Sequence, residues 1–129
     1  MLPKINPVNT AAWKELAEHA KEMKGVAMKE MFLTDPDRFK RFSLCLDQVV
    51  FDYSKNIIND KTLPLLIKLA QECKLQDAIA AMFNGDKINE TEKRSVLHIA
   101  LRNFSGQPVY SEGTDIMPEV KKSLRKMKA

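Results

Sequence analysis

Between Phe42 and Lys55 the side-chain pattern of this chain changes period, and that change bounds what it can fold into. Phe42, Leu44 and Leu46 alternate with Ser43 and Cys45, and after Asp47-Gln48, Val49, Phe51 and Tyr53 alternate with Val50, Asp52 and Ser54. Period two with β-branched and aromatic residues argues strand. Two such runs across a polar dipeptide predict a hairpin. Asp-Gln is a poor two-residue turn, so a longer loop is expected. The rest of the chain follows a helical period or reads as loop, apart from a possible short strand at Val109-Tyr110 before Glu112-Gly113. The fold class is therefore mainly α with a small β-hairpin.

The helical stretches follow from their apolar spacing. Asn9 or Thr10 can cap a first helix carrying Trp13, Leu16, Ala17, Ala20 and Met23 on one face. Gly25 ends it. Met28, Met31 and Phe32 predict a short turn of helix, and Asp35-Pro36 a restart with Asp35 as cap. Leu63, Leu66, Ile67 and Ala70 share a face, with Pro64 tolerable only in the first turn and Thr62 or a neighbour as cap. Leu75, Ala78, Ile79 and Met82 form the next, ending at Asn84-Gly85. Asn89 with Glu92 three residues on reads as a capping box, opening a helix that turns Val96, Leu97, Ala100 and Leu101 inward. The last helix starts near Pro118 and presents Val120, Leu124 and Met127.

Charge and composition exclude several classes. The net charge of +4 resides in the final helix, where Lys121, Lys122, Arg125, Lys126 and Lys128 face one anion, Glu119. Residues 1–117 carry equal numbers of each sign, so no basic face for nucleic acid spreads over the fold. The tail lacks the aromatic residues that membrane or single-strand binding would use. No apolar run is long enough to span a membrane, and MLPKINPVNT has no apolar signal core. Cys45 and Cys73 are far apart, which suits reduced thiols in a cytosolic protein and gives neither a zinc ribbon nor a disulfide framework. No repeat or low-complexity linker divides the 129 residues.

No catalytic constellation assembles from the spacing. The four glycines build no phosphate-cradling loop, and no GxSxG or HExxH is present. His19 is expected at the surface or boundary of the first helix. His98, inside the apolar run 96–101, is expected to be buried and hydrogen-bonded. Asp52-Tyr53-Ser54-Lys55-Asn56 groups polar side chains at a strand end, where satisfying the next turn is the stronger reading than a site. Glu90, Glu92, Lys93 and Arg94 suit a helix start. Cys45 reads as a small hydrophobe, and Met23, Met28 and Met31 as gap-fillers.

Longer strings carry more. Ile5-Asn6-Pro7 followed by Thr10-Ala11-Ala12-Trp13, then Asp52-Tyr53-Ser54-Lys55-Asn56, stand in order ahead of Met82-Phe83-Asn84-Gly85-Asp86-Lys87-Ile88-Asn89. Thr91-Glu92, Arg94, the run Val96-Leu97-His98-Ile99-Ala100-Leu101-Arg102-Asn103 and finally Met117-Pro118-Glu119-Val120 follow. The chain resembles, over essentially its whole length, the N-terminal part of the bacterial-type glucose-6-phosphate isomerase (phosphoglucose isomerase) family. Phe104 stands where that family usually has an arginine, and Pro64 is unusual early in a helix.

The resemblance implies an α/β sugar-isomerase (SIS-like) fold for the parent enzyme, to which residues 1–129 contribute an N-terminal helical segment. It implies interconversion of D-glucose 6-phosphate and D-fructose 6-phosphate by ring opening and proton transfer through a cis-enediol. No metal or redox cofactor is implied. The family is a cytoplasmic homodimer of glycolysis and gluconeogenesis, with no nucleic-acid or membrane partner. Its sugar-phosphate loop, glutamate base, ring-opening histidine and late lysine lie downstream, with no counterpart positions here. The expectation is an N-terminal fragment, inactive alone, with no catalytic, substrate-binding or metal residue of its own. The competing expectation is a free-standing helical interaction module. On the fragment reading, Val120, Leu124 and Met127 would lean on protein beyond this chain.

Overall fold

The computed structural model describes residues 3–128. They form two compact units, one of Asn6–Cys73 and one of residues 74–128 with 3–5. The described chain is mainly helical, with two small antiparallel hairpins.

In the first unit, a 3-10 turn at Pro7–Asn9 leads into α1, Ala11–Glu22. Thr10 is the cap, its Oγ accepting from the Trp13 amide at 3.2 Å. Two short helices follow, α2 at Met28–Thr34 and α3 at Arg38–Arg41. The restart comes later than Asp35-Pro36 predicts, because the Asp35 carboxylate accepts from Arg41 Nη1 at 2.6 Å and does not cap an amide.

Strands β1 (Ser43–Leu46) and β2 (Val49–Asp52) make the predicted hairpin. Its loop is only two residues, since Leu46 pairs directly with Val49. A two-residue loop needs a left-handed position to match strand twist. Asp47 supplies it at φ 50, one of the residue types that tolerates that region.

Helix α4, Thr62–Glu72, packs antiparallel on α1. The Ala12 amide donates to Glu72 Oε2 at 3.0 Å at one end, and Lys61 pairs with Glu22 at 2.7 Å at the other. Lys68 meets Glu15 at 2.6 Å between them. The seam does not follow the main apolar stripes. On α1 it takes Ala12, Leu16, His19 and Met23, leaving Trp13, Ala17 and Ala20 exposed. On α4 it takes Thr62, Leu65 and Leu69, leaving Leu63, Leu66 and Ile67 exposed.

The second unit opens with α5, Leu75–Phe83, closed by Asn84-Gly85 as predicted. Gly85 at φ 75 lets the chain pass beside β3 (Tyr110–Ser111), and an added Cβ would lie 2.0 Å from the Tyr110 carbonyl oxygen. No helix starts at Asn89. Its Oδ1 does accept from the Glu92 amide, at 3.2 Å. The backbones of Asn89 and Arg94 then pair with each other, at 3.2 and 3.3 Å, and Lys93 turns left-handed at φ 53. The capping bond closes a loop, and the helix α6 is only His98–Leu101.

β3 pairs with β4 (Thr114–Asp115), a second hairpin where the sequence suggested one short strand. α7 spans Met117–Lys128. Met117 is buried and Val120 and Leu124 half-buried, while Met127 is 73% exposed.

Candidate functional site

The polar groups singled out from the sequence are placed by two clamps within the first unit. One is centred on Arg38, which is only 2% exposed. Its Nε donates to the Ser54 carbonyl at 2.8 Å, and Nη2 donates to the carbonyls of Asn56 and Ile58 at 2.8 and 2.9 Å. Its guanidinium carbon lies 4.7 Å from the Phe42 ring centroid and 5.7 Å from that of Phe32. The charge is held by carbonyl dipoles and ring faces. Ser54, buried at the centre, donates from its amide and hydroxyl to Asp52 Oδ1 at 2.9 and 2.7 Å. The Ser54 hydroxyl, and after it the Ser54 amide, hold the Asp52 carboxyl below the ordinary carboxylate range. Asn56 Nδ2 donates to the Tyr53 carbonyl at 3.2 Å. The 52–56 string is therefore wound into a turn around Arg38, a residue that sequence reading passed over because its partners are backbone atoms with no pattern of their own.

The second clamp joins α1 to α4. His19, expected at the surface or boundary of α1, is 3% exposed. Its Nε2 lies 2.7 Å from Thr62 Oγ and its Nδ1 3.1 Å from Glu22 Oε2. The carboxylate only accepts, so in the neutral ring Nδ1 carries the proton and Nε2 accepts from the Thr62 hydroxyl. Thr62 Oγ in turn accepts from the Asn59 amide at 3.0 Å. Lys61 first, then His19, lower the Glu22 carboxyl below its ordinary range.

The two histidine expectations are thus exchanged. His98, expected buried, is exposed at the start of α6. The helix expected through 96–101 is only His98–Leu101, because residues 89–94 close into a loop instead of opening a helix.

Of the charged group at 90–94, Glu90 pairs with Lys4 at 3.0 Å and Glu92 with Arg94 at 2.5 Å, all within the second unit. Cys45 lies on β1 as expected but exposed, and Cys73 is half-buried at the end of α4. Among the described residues no cluster of three or more His, Cys, Asp or Glu could hold a metal ion, and no helix is long and apolar enough to cross a membrane.

A family model described as phosphoglucose isomerase matches residues 52–129, more than half of the chain. This chain belongs to the phosphoglucose isomerase family. A glucose-6-phosphate isomerase of Desulforapulum autotrophicum is 52% identical over 128 residues, which are 99% of this chain and 23% of that relative. The chain therefore spans about a quarter of the length of the curated isomerase it matches. The family match begins at Asp52, so it includes the turn at 52–58 that wraps Arg38, α4 and the second unit from residue 74 onward.

Two outcomes check the clamps. Arg38→Met orphans three carbonyls, each costing about 1–3 kcal/mol when buried. Urea denaturation should show a loss of about 3 kcal/mol or more, with Arg38→Lys recovering only part because an ammonium is no fork. A loss below about 1 kcal/mol would contradict the clamp.

The second concerns pH. A carboxyl held low in the folded state contributes stability above its unfolded pKa and loses it as pH falls through the folded one. Wild type should exceed Glu22→Gln in stability near neutrality. That gap should close as pH falls below about 4.3. A constant gap from neutrality to strong acid would count against it.

Proposed function

We propose that this chain serves as the N-terminal structural segment of a glucose-6-phosphate isomerase and does not catalyse by itself. The observation that carries the reading is family membership combined with coverage of only 23% of the curated isomerase. The geometry agrees with it. The best grouped polar side chains, Asp52 to Asn56, spend their hydrogen bonds on a turn, and His19 spends both ring nitrogens on Glu22 and Thr62.

In this reading the complete enzyme opens the ring of D-glucose 6-phosphate and moves a proton between C1 and C2 through a cis-enediol, giving D-fructose 6-phosphate. Acid–base groups outside this chain do that work. The substrate is a sugar phosphate, the assembly a cytoplasmic homodimer, and residues 1–129 form one structural segment to which the catalytic domains are added. Family membership gives no support to a free-standing interaction module.

A coupled assay tests this. The purified 129-residue chain should convert fructose 6-phosphate no faster than the buffer blank. A chimera in which this chain replaces the matching 128 residues of the Desulforapulum autotrophicum isomerase should be active. Sustained turnover by the chain alone, or an inactive folded chimera, would overturn the proposal.

A further inference from the structure

The Thr62 hydroxyl has one proton and two acceptors within reach. His19 Nε2 lies 2.7 Å from its oxygen, and Asn59 Oδ1 lies 3.3 Å from it. The oxygen has two lone pairs, and one of them accepts from the Asn59 amide at 3.0 Å. Both Thr62 and His19 are buried, so these groups settle their bonds with one another and not with water.

In the neutral ring Nδ1 donates to Glu22 and Nε2 accepts, which draws the Thr62 proton to the shorter contact. A ring that takes up a proton donates from both nitrogens. Nε2–H then points at the Thr62 oxygen, and the hydroxyl proton needs another acceptor. Asn59 Oδ1 is that acceptor. It already accepts from the Lys61 amide at 3.0 Å, and a carbonyl oxygen takes two such bonds. The Asn59 side chain is anchored by donation from its Nδ2 to Met23 Sδ at 3.4 Å. All these polar atoms therefore have partners in either charge state, and only the 3.3 Å contact has to tighten.

The surrounding charges suit both states as well. On α1, Glu22 Oε2 is 3.1 Å from Nδ1. At the entry to α4, Lys61 pairs with the same carboxylate at 2.7 Å, both side chains being more than half exposed and screened by water. Asp60 is turned to Arg41. Further along α4, Lys68 is paired with Glu15, and Glu72 accepts from the Ala12 amide. Pro7–Asn9 carries no ionisable side chain. His19 stands in the last turn of α1, where the free carbonyls favour a cation. Lys61, and after it His19, hold the Glu22 carboxyl below its ordinary range. The counter-charge therefore persists through the pH range in which imidazoles charge.

We infer that Thr62 is a hydroxyl switch that keeps the α1–α4 seam closed in both charge states of His19. With the ring neutral, Thr62 donates to Nε2. When Nε2 takes a proton from solvent, that N–H donates to the Thr62 oxygen and the hydroxyl turns to Asn59 Oδ1. No O–H bond breaks, and the added proton stays on the ring.

Nitrogen NMR of the 129-residue chain, labelled at histidine, reads the switch, with the exposed His98 as an internal reference. At about pH 8 the His19 ring should carry its proton on Nδ1 alone, and by about pH 5 on both nitrogens. The backbone amides of Asn59 and Thr62 should keep their folded positions throughout. Three results would each overturn the inference. They are a ring protonated on Nε2 at the alkaline end, a seam that opens as His19 charges, and a ring that stays neutral in the folded chain at the acid end. Variants separate the switch from packing. Thr62→Ser keeps the hydroxyl, and Thr62→Val removes it with little change of volume. From about pH 8 to about pH 5, the folded-to-unfolded ratio of Thr62→Val should fall at least about tenfold further than that of Thr62→Ser, because a charged donor is left unpartnered. Where Thr62→Val does not fold, Asn59→Ala, at an exposed position, replaces it and should lose more against wild type at the acid end. A loss that is equal at both ends contradicts the switch.

Discussion

The first unit depends on one guanidinium. Arg38 reaches three carbonyls between Ser54 and Ile58, and those bonds decide where the chain goes after the hairpin. A carbonyl has no charge to neutralise, so Arg38 keeps its positive charge among dipoles and the Phe42 and Phe32 rings. The fork matters more than the charge, because Nε and Nη2 leave the planar group in fixed directions. Fixing residues 54–58 sets the entry to α4, and α4 sets the seam with α1. There Thr62 and His19 meet at a position where a purely apolar seam would place a hydrocarbon.

Polar clamps on the inside and apolar faces on the outside form one consistent arrangement. Only Ala12, Phe42, Ala100 and Met117 are buried hydrophobics among the described residues. The buried polar residues, His19, Arg38, Ser54 and Thr62, all belong to the two clamps. Buried polar groups with complete hydrogen bonding define one geometry, and no buried side-chain nitrogen or oxygen among the described residues lacks a partner. The clamps hold the shape in which Leu63, Leu66, Ile67 and the hairpin are presented.

The same division explains what could be read in the sequence. The hairpin, α5 with its Asn84-Gly85 stop, and the mainly α class follow from period and punctuation, which are local. The capping box at Asn89 was also local, and it failed because a side-chain bond to the Glu92 amide can close a loop as well as open a helix. The apolar stripes of α1 and α4 split between the two sides, Leu16, Met23 and Ala70 turning inward while Trp13, Ala17, Ala20, Leu63, Leu66 and Ile67 stay exposed, because burial depends on what packs against them. The histidines show the limit most directly. His98 sits in an apolar string and is exposed, whereas His19 sits beside charged residues and is buried by Thr62, distant in sequence. The family was legible because strings such as Met82–Asn89 and Val96–Asn103 are long and ordered. The Arg38 clamp was not, since carbonyl partners leave no mark on residue type.

Native-state hydrogen exchange on the isolated chain tests most directly the claim that the clamps, and not the apolar faces, hold this fold. Amides tied to the clamps, those of Phe42, Ser54 and Thr62, should be among the slowest to exchange. The amides of the hairpin strands at 43–46 and 49–51 should exchange much faster, since no packed layer covers them. Hairpin amides as strongly protected as those of Ser54 and Thr62 would contradict the account.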